Sequence, residues 1–400
     1  MADINKVSGI AWADIGKLSA IAGTDIAKMA GGNAPAGGVA PTVAVVVVQR
    51  SWIMVSTTEG FASGTWSAYQ ANGRTNDTQR NVEYGLQPDG TGTWISVMNK
   101  TARPMRIAQM SGSNTAPSSS VHWTEVNPTG EAAFDIVAGV HTGTGPATDA
   151  AAFVHVGNDA EYASYFGGGA LAITTPGDWE NDRPINSDLA TSKILTGVGF
   201  NHSIADPLFV AVSNTGRVFS SATGGDDTTD WTTRYGTTGT SGGNNSEDEA
   251  LWEVAYGNDK WVAVGYYDKM EHITGSGDAT SWGIMNLPGN LPGGVTKRQM
   301  LGVDSDGNNN WVTCGASGYI WVSTDNAATW AEHRIANADD GYGTWQCVKY
   351  DGANTWWLTG GKGYLAYSTN MTDWTGFRTP VTDVNNSTSY GIAFNSVRTA

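Results

Sequence analysis

The stretch Trp311 to Trp330, WVTCGASGYIWVSTDNAATW, predicts two strands joined by a tight turn, followed by a polar loop and a closing tryptophan. Ile320 and Val322 alternate with their neighbours at the period of two that is typical of a strand. Gly315 and Gly318 bracket the turn, where glycine reaches positive φ at little steric cost. The stretch is therefore a candidate β-hairpin with an appended loop.

The loop and its tryptophan recur along the chain at intervals of 57, 56, 52, 51, 48 and 44 residues. The seven blade-defining tryptophans are Trp66, Trp123, Trp179, Trp231, Trp282, Trp330 and Trp374. Strand-rich repeats of this length are typical of β-propellers, in which each repeat forms one four-stranded blade. We therefore predict an all-β, seven-bladed β-propeller.

The two ends of the propeller sequence complement each other. The first blade begins near Thr42 and contains only three candidate strands, the first of them Val43 to Gln49. One strand, Tyr390 to Asn395, is left over at the C-terminus and matches the first strands of the other blades. We expect it to pair with the first blade and close the ring, which removes open sheet edges.

In the third blade we expect the third strand at Ala170 to Thr174 and an inserted loop at Tyr162 to Gly169. Aromatic side chains on such loops can stack on sugar rings, and inserted loops are where ligand sites are commonly placed. Tyr162, Tyr165 and Phe166 are therefore the candidate ligand-loop residues.

Residues 1–32 contain a second, shorter repeat, with a period of 11 residues and the consensus D-I-x-K-(V/L/M)-(S/A)-(G/A)-I-A. Its apolar positions, the candidate anchoring residues, are Ile4, Val7, Ile10, Trp12, Ile15, Leu18, Ile21, Ile26 and Met29. Interspersed glycines disfavour one long helix, so we expect short helical turns linked by bends. The segment is too short to bury its own apolar stripe and is either an assembly peptide or a flexible tail.

Residues 33–41 are rich in Gly, Ala and Pro and form a predicted linker. The propeller is then expected to span residues 42–400.

The formal net charge of −16 disfavours nucleic acid and anionic membranes as partners. The longest apolar run, Val43 to Val48, has only the length of a strand, and residues 1–6 lack the pattern of a secretion signal. We expect Cys314 and Cys347 to be buried thiols, with a bridge as the alternative.

Motifs for catalysis, metals or cofactors are not evident, so we predict no catalytic residue, metal or cofactor. Asp178, Glu180 and Asp182 cluster in a predicted outer loop, and Glu247 to Glu249 is a like-charge run typical of a solvated surface. Asp304 to Asn310 begins like a calcium loop but lacks the terminal glutamate, which favours a hairpin turn.

The loop sequence S-x-D-x-x-x-T-W at Ser323 to Trp330 resembles the Asp-box (BNR-type) repeat of sialidase-like propellers, and Ser368 to Trp374 is a shorter, degenerate copy. The resemblance implies a propeller in which the box is a structural turn. Phe377 to Pro380, FRTP, is similar to the family's F-R-I-P motif but follows the last box instead of preceding the first. We therefore interpret it as an outer strand and predict no sialidase chemistry there.

The N-terminal repeats look like short repeats in structural proteins of marine tailed phages. This resemblance implies a non-enzymatic, tail-associated component of a bacteriophage virion, attached through residues 1–32 to other virion proteins or to copies of itself. Propeller loops would then contact neighbouring proteins or host-surface glycans. The alternative is a sialidase-like lectin or glycosidase, for which converging carboxylates and arginines would be expected and are not apparent.

Overall fold

The computed structural model describes residues 6–7, 10–11, 41–58, 61, 63–71, 77–87, 91–102, 104–110, 116–139, 151–166, 172–185, 193–202, 206–225, 230–235, 250–265, 269–274, 279, 281–286, 299–335, 343–379, 381, 384 and 387–396. Nearly all of the regular structure in these residues is β-strand, with a few one-turn 3-10 helices between strands. Within the described chain, no helix is long and apolar enough to cross a membrane.

A short antiparallel pair, β1 (Lys6–Val7) and β2 (Ile10–Ala11), precedes the main body. Seven four-stranded antiparallel sheets follow. Sheet 1 contains β3 (Ala44–Val48), β4 (Trp52–Ser56) and β5 (Ser67–Gln70). Sheet 2 contains β6 (Gln79–Leu86), β7 (Gly92–Met98), β8 (Met105–Met110) and β9 (Thr124–Val126). Sheet 3 contains β10 (Ala133–Ala138), β11 (Phe153–Gly157), β12 (Glu161–Tyr165) and β13 (Glu180–Pro184).

The remaining sheets repeat this order. Sheet 4 contains β14 (Leu195–Phe200), β15 (Phe209–Ser213), β16 (Val218–Ser221) and β17 (Thr232–Tyr235). Sheet 5 contains β18 (Leu251–Gly257), β19 (Lys260–Gly265), β20 (Lys269–Thr274) and β21 (Trp282–Asn286). Sheet 6 contains β22 (Met300–Ser305), β23 (Trp311–Gly315), β24 (Tyr319–Ser323) and β25 (Ala331–Arg334). Sheet 7 contains β26 (Trp345–Tyr350), β27 (Trp356–Gly360), β28 (Tyr364–Ser368) and β29 (Thr375–Arg378).

The last strand, β30 (Ser389–Phe394), completes sheet 1 by pairing antiparallel with β3. The predicted closure by the C-terminal strand is therefore confirmed. Asn395 reinforces it, because its Oδ1 accepts hydrogen bonds from the backbone N–H groups of Thr42 and Val43, both at 2.9 Å. The main body is an all-β propeller whose first strand, β3, and last strand, β30, share one sheet.

Apolar side chains fill the spaces between neighbouring sheets. Trp94, for example, packs in one cluster with Val45 of sheet 1 and Val82 of its own sheet. Large aromatic side chains carry much of this burial, and Trp94, Trp261 and Trp311 are all fully buried. Each such side chain contributes on the order of 2 kcal/mol or more to stability through removal of apolar surface from water. Cys314 and Cys347 are both free and buried, as predicted.

Two sequence-based predictions of local structure are wrong. The third strand of sheet 3 is β12, at Glu161–Tyr165, and not Ala170 to Thr174, part of which forms a turn. Its register against β11 places Tyr162 and Tyr165 in the sheet, where aromatic residues fit the half-buried surface well. In the first N-terminal repeat, β1 and β2 form a strand pair where helical turns were expected. β-branched residues, Val7 and Ile10, pair there, which favours strand over helix.

Candidate functional site in the central channel

We call the strand at the inner edge of each sheet its first strand; these are β6, β10, β14, β18, β22 and β26, and in sheet 1 it is β30. The seven sheets share one irregularity, a β-bulge near the start of this first strand. Each bulge adds one residue that opposes no partner on the second strand. The bulge residues are Arg80, Phe134, Thr196, Trp252, Leu301, Gln346 and Tyr390. Two residues later every strand has a buried Val or Ile: Val82, Ile136, Val198, Val254, Val303, Val348 and Ile392. The residues on either side of this aliphatic residue can face the space that the seven first strands enclose, which we call the channel.

A cavity of about 880 Å³, including solvent at its mouth, is lined by residues from all seven first strands. Four carboxylic acids from four different sheets line it, together with one lysine: Glu83, Asp135, Glu253, Asp304 and Lys349. The described lining contains no arginine. From the sequence we expected no convergence of carboxylates, and this expectation is wrong. Alignment of the seven first strands on their Val or Ile would have revealed it, because the acids flank that residue.

Two of the carboxylates bind backbone amides of the neighbouring sheet. Asp135 Oδ2 accepts a hydrogen bond from the Val198 N–H at 2.7 Å, and Asp304 Oδ2 accepts one from the Tyr350 N–H at 2.7 Å. The first strand of each sheet is an edge strand, so its outward amides need partners from outside the ladder. The Asn81 side-chain amide also donates to Asp135 Oδ1. These acids therefore connect adjacent sheets around the channel.

Lys349 and Glu83 connect sheets 7 and 2 across sheet 1. Lys349 Nζ lies 3.2 Å from Glu83 Oε2, and both side chains are partly exposed to the channel. The intervening strand β30 has Gly391 and Ala393 at the corresponding positions. Because these residues have no long side chain, the ion pair can span the sheet that holds the first and last strands of the propeller.

Burial makes the carboxyl groups weaker acids. Burial raises the pKa of Asp135, although the hydrogen bonds from the Asn81 side chain and the Val198 N–H act to lower it. It raises the pKa of Glu253 well above its ordinary value, and the nearby charge of Asp135 acts in the same direction. The cavity therefore holds carboxyls that keep their protons to unusually high pH. Such groups can exchange protons with a bound molecule, although here they also serve as hydrogen-bond partners of the ring.

Two of the three candidate ligand-loop residues, Tyr162 and Tyr165, are buried and therefore not available for stacking on a sugar. Tyr162 and Tyr165 are 3% and 1% exposed, and both lie in the core. The Tyr162 ring packs edge-on against Trp231 at 5.6 Å, and Tyr165 packs against Trp179 at 5.6 Å. Phe166 is partly buried against the same core as Tyr162. The predicted loop is wrong for Tyr162 and Tyr165, because they lie on a strand whose two faces are both buried against neighbouring sheets, whereas the role of Phe166, which follows the strand, stays a prediction.

The seven blade-defining tryptophans follow the loops that lead into the outer strands. Five of them are buried: Trp66, Trp123, Trp179, Trp231 and Trp330. Trp282 and Trp374 are partly exposed. Several indole N–H groups cap the preceding loop, as in the 2.8 Å bond from Trp179 Nε1 to the Ile173 carbonyl. Their role in the described chain is packing and loop closure.

Among the anchoring residues, only Val7 and Ile10 lie in described strands, and the others lie outside the described residues.

The Asp-box-like loop of sheet 6 is held by one acid. Asp325 Oδ1 accepts hydrogen bonds from the Ser323 hydroxyl and from the Thr329 N–H, both at 2.8 Å, and its Oδ2 accepts one from the Thr329 hydroxyl at 2.6 Å. Slight burial raises the pKa of Asp325, but the bonds from Thr329 and Ser323 outweigh it and lower the pKa to about 2. In sheet 7, Asn370 Oδ1 accepts the corresponding bonds from backbone amides. The loop is a turn and contains no reactive arrangement.

The other described acidic motifs are parts of turns, except that Glu180 and Asp182, which were expected in an outer loop with Asp178, lie on the outer strand β13. Asp178 Oδ2 accepts a hydrogen bond from the Ala172 N–H, and Asp306 binds the amides of Asn308 and Asn310 within its hairpin. Arg378 of the FRTP motif lies on the outer strand β29. The run from 247 to 249 lies outside the described residues. Within the described chain, no group of three or more His, Cys, Asp or Glu residues is arranged to hold a metal ion.

No protein-family model and no curated protein matches this sequence. A solved structure titled "YCF48 bound to D1 peptide" is similar over 86% of this chain and 94% of that chain, with a TM-score of 0.50 and 12% identity. A second, YCF48 from Cyanidioschyzon merolae, is similar over 47% of this chain and 57% of that chain, with a TM-score of 0.36 and 19% identity. The first similarity supports the β-propeller fold and nothing more specific.

Proposed function

We propose that this chain is a non-enzymatic structural component of a bacteriophage virion, associated with the tail. In this proposal each of the seven sheets is one blade of a closed ring, which residues 1–32 attach to other virion proteins or to copies of itself. The observation that supports it most is the use of the channel carboxylates. Asp135 and Asp304 bind amides of the next sheet at 2.7 Å, as parts of a scaffold do.

The closure of the ring supports the same role. The pairing of β3 with β30 and the ion pair between Lys349 and Glu83 hold the first and last strands of the propeller in place. A disc closed in this way keeps its loops in fixed relative positions, which suits repeated contacts with neighbouring subunits or with host-surface glycans. The virion context itself rests on the 11-residue repeats of the sequence.

The test is quantitative mass spectrometry of gradient-purified particles from the source culture. The proposal predicts that the chain co-sediments with particles in a fixed ratio to the major structural proteins. A variant lacking residues 1–32 should be made in equal amount but remain outside the particles. Recovery of the intact chain only in the soluble fraction would refute the virion assignment.

A sialidase-like glycan-binding or glycan-hydrolysing propeller is the second candidate. The specific observation in its favour is that Asp135 and Glu253, both with raised pKa, line one cavity. Glycosidases use two carboxyl groups across a cleft, one of which has a raised pKa and acts as the acid. A hydrolysis screen with the parent chain and with Glu253→Gln decides the matter. Turnover that is lost in the variant supports an enzyme, and absence of turnover on all glycans leaves the structural role.

A further inference from the structure

The bulge residues form a second ring at the start of the first strands, ahead of the residues that line the carboxylate cavity. None of them is part of the described cavity lining. Arg80, Phe134 and Tyr390 belong to three neighbouring sheets, and all three are partly exposed. Trp252 and Leu301 occupy the same register position further around the ring and are also partly exposed. Of the seven bulge residues, four are apolar or aromatic, two (Thr196 and Gln346) are neutral and polar, and one, Arg80, is a cation.

Arg80 is clamped between two aromatic rings. Its guanidinium carbon lies 5.1 Å from the centre of the Phe134 ring and 5.4 Å from the centre of the Tyr390 ring. Contacts of this kind hold the guanidinium plane in a fixed place while leaving its N–H groups free to donate. They also join sheet 2 to sheet 3 and to the closing strand β30.

The charge of Arg80 has no anionic partner among the described residues, and its Nε is buried without a hydrogen bond. Burial lowers the pKa of Arg80, which means that the protein environment disfavours its charge. Arg106 of the same sheet is different, because it lies 3.2 Å from Asp77 and 3.4 Å from Glu125. A partly buried cation without a counter-ion gains much from an added anion.

We propose that the Arg80 clamp, formed by Arg80, Phe134 and Tyr390, is a binding site for the carboxylate of a terminal hexuronate sugar. The guanidinium would donate two parallel hydrogen bonds to the carboxylate. The Phe134 and Tyr390 rings of the clamp would contact the pyranose beside its carboxylate. The net charge of −16 repels polyanions and so favours a ligand with a single carboxylate.

This site deepens the contact with host-surface glycans that forms part of the proposed function. Binding is measured on the purified full-length chain, whereas virion association is measured on particles. Failure to bind the sugar would therefore leave the particle experiment unaffected, and the reverse also holds.

The test compares methyl β-D-glucuronide with methyl β-D-glucoside, which differ only in the carboxylate, by saturation-transfer NMR and calorimetry. We expect the glucuronide to bind at least tenfold more tightly. Arg80→Gln should abolish this preference and Arg80→Lys should reduce it, since a lysine cannot form the bidentate pair. Arg378→Gln is the matched control, because Arg378 also lies over a tyrosine ring, at 5.8 Å from the centre of Tyr364, but on an outer strand. It should leave binding unchanged.

Equal binding of the two sugars, or a preference that survives Arg80→Gln, would overturn the proposal. Tighter binding of a short Asp- and Glu-containing peptide than of the glucuronide would also overturn it, because the site would then be a peptide site. If Arg80→Gln does not fold, competition on the parent chain replaces it. Excess acetate should displace the glucuronide, and failure of acetate to compete would exclude a carboxylate anchor.

Discussion

At the scale of single residues, the most demanding feature is a fully buried arginine. The Arg106 side chain is 0% exposed, and its Nη2 lies 3.2 Å from Asp77, which is 2% exposed. The same nitrogen donates to the Ser51 hydroxyl at 3.3 Å, so it links sheet 2 to the turn between β3 and β4. Charges buried this deeply are tolerated only when they are paired.

We predict that Arg106→Met lowers the free energy of unfolding by about 3–5 kcal/mol, because Asp77 is left buried without its cation. Urea unfolding monitored by tryptophan fluorescence measures this loss. The double variant Arg106→Met/Asp77→Asn removes both charges and should recover a large part of it. An equal loss in the two variants would show that packing, and not the ion pair, is responsible.

His155 gives the fold a defined sensitivity to acid. It is 1% exposed, neither ring nitrogen has a hydrogen bond, and burial lowers its pKa from 6.5 to about 3. Between these pH values the unfolded chain binds a proton that the folded chain does not. The free energy of unfolding therefore falls as pH falls, by about 1.4 kcal/mol per pH unit from this group.

We predict that His155→Leu removes this contribution. Leu358 occupies the equivalent register position in sheet 7, so leucine suits the site. The measurement is the difference in unfolding free energy between parent and variant from pH 7 to pH 4. The difference should grow in favour of the variant as pH falls, and a constant difference would contradict the account.

Glu253 gives the stability of the fold a pH dependence opposite to that from His155. Burial and the charge of Asp135 raise its pKa well above 4.5, so the folded chain keeps a proton that the unfolded chain has lost. Its contribution to stability therefore falls as pH rises above 4.5. We predict that Glu253→Gln becomes more stable than the parent as pH is raised from 5 to 8, measured by thermal unfolding. Glu332→Gln, at an exposed position on the outer strand β25, is the control for replacing a carboxyl by an amide.

At the scale of elements, the loop of sheet 6 depends on Asp325, whose carboxylate accepts hydrogen bonds from Ser323, Ala328 and Thr329. We predict that Asp325→Ala lowers the free energy of unfolding by about 1–2 kcal/mol through the loss of these bonds. Because the pKa of Asp325 is lowered to about 2, the parent should lose the same stability as pH falls from 4 towards 2. Asn370→Ala in sheet 7 is the control, since a neutral amide there gives no such pH dependence.

The alternation of apolar residues was sufficient to predict most of these strands, because most strands bury one face against a neighbouring sheet. It was not sufficient for β12, where Tyr162 and Tyr165 lie between polar or small residues and resemble a loop. The bulges were also missed. A single extra residue such as Arg80 or Phe134 changes the hydrophobic pattern by one position, and only comparison of all seven first strands shows that the position repeats.

At the scale of the whole molecule, the propeller and its closure could be predicted because the repeat length and the unpaired last strand are properties of the linear sequence. The channel could not. Its acids come from four sheets, with Glu83 and Asp304 far apart in the chain, and each alone is an ordinary strand residue. The Arg80 clamp likewise depends on rings contributed by Phe134 and Tyr390, which become neighbours only when the ring closes.

The claim on which the account depends is that the first and last strands of the propeller form one cooperative sheet. Hydrogen-exchange mass spectrometry of the intact chain tests it most directly. We predict that the amides of β3, Ala44–Val48, are as protected as those of β15, Phe209–Ser213, the second strand of sheet 4, and that the amides of β30, Ser389–Phe394, are as protected as those of β14, Leu195–Phe200, the first strand of sheet 4. Rapid exchange of β30 alongside a protected β3 would show that the ring is open and would contradict the account.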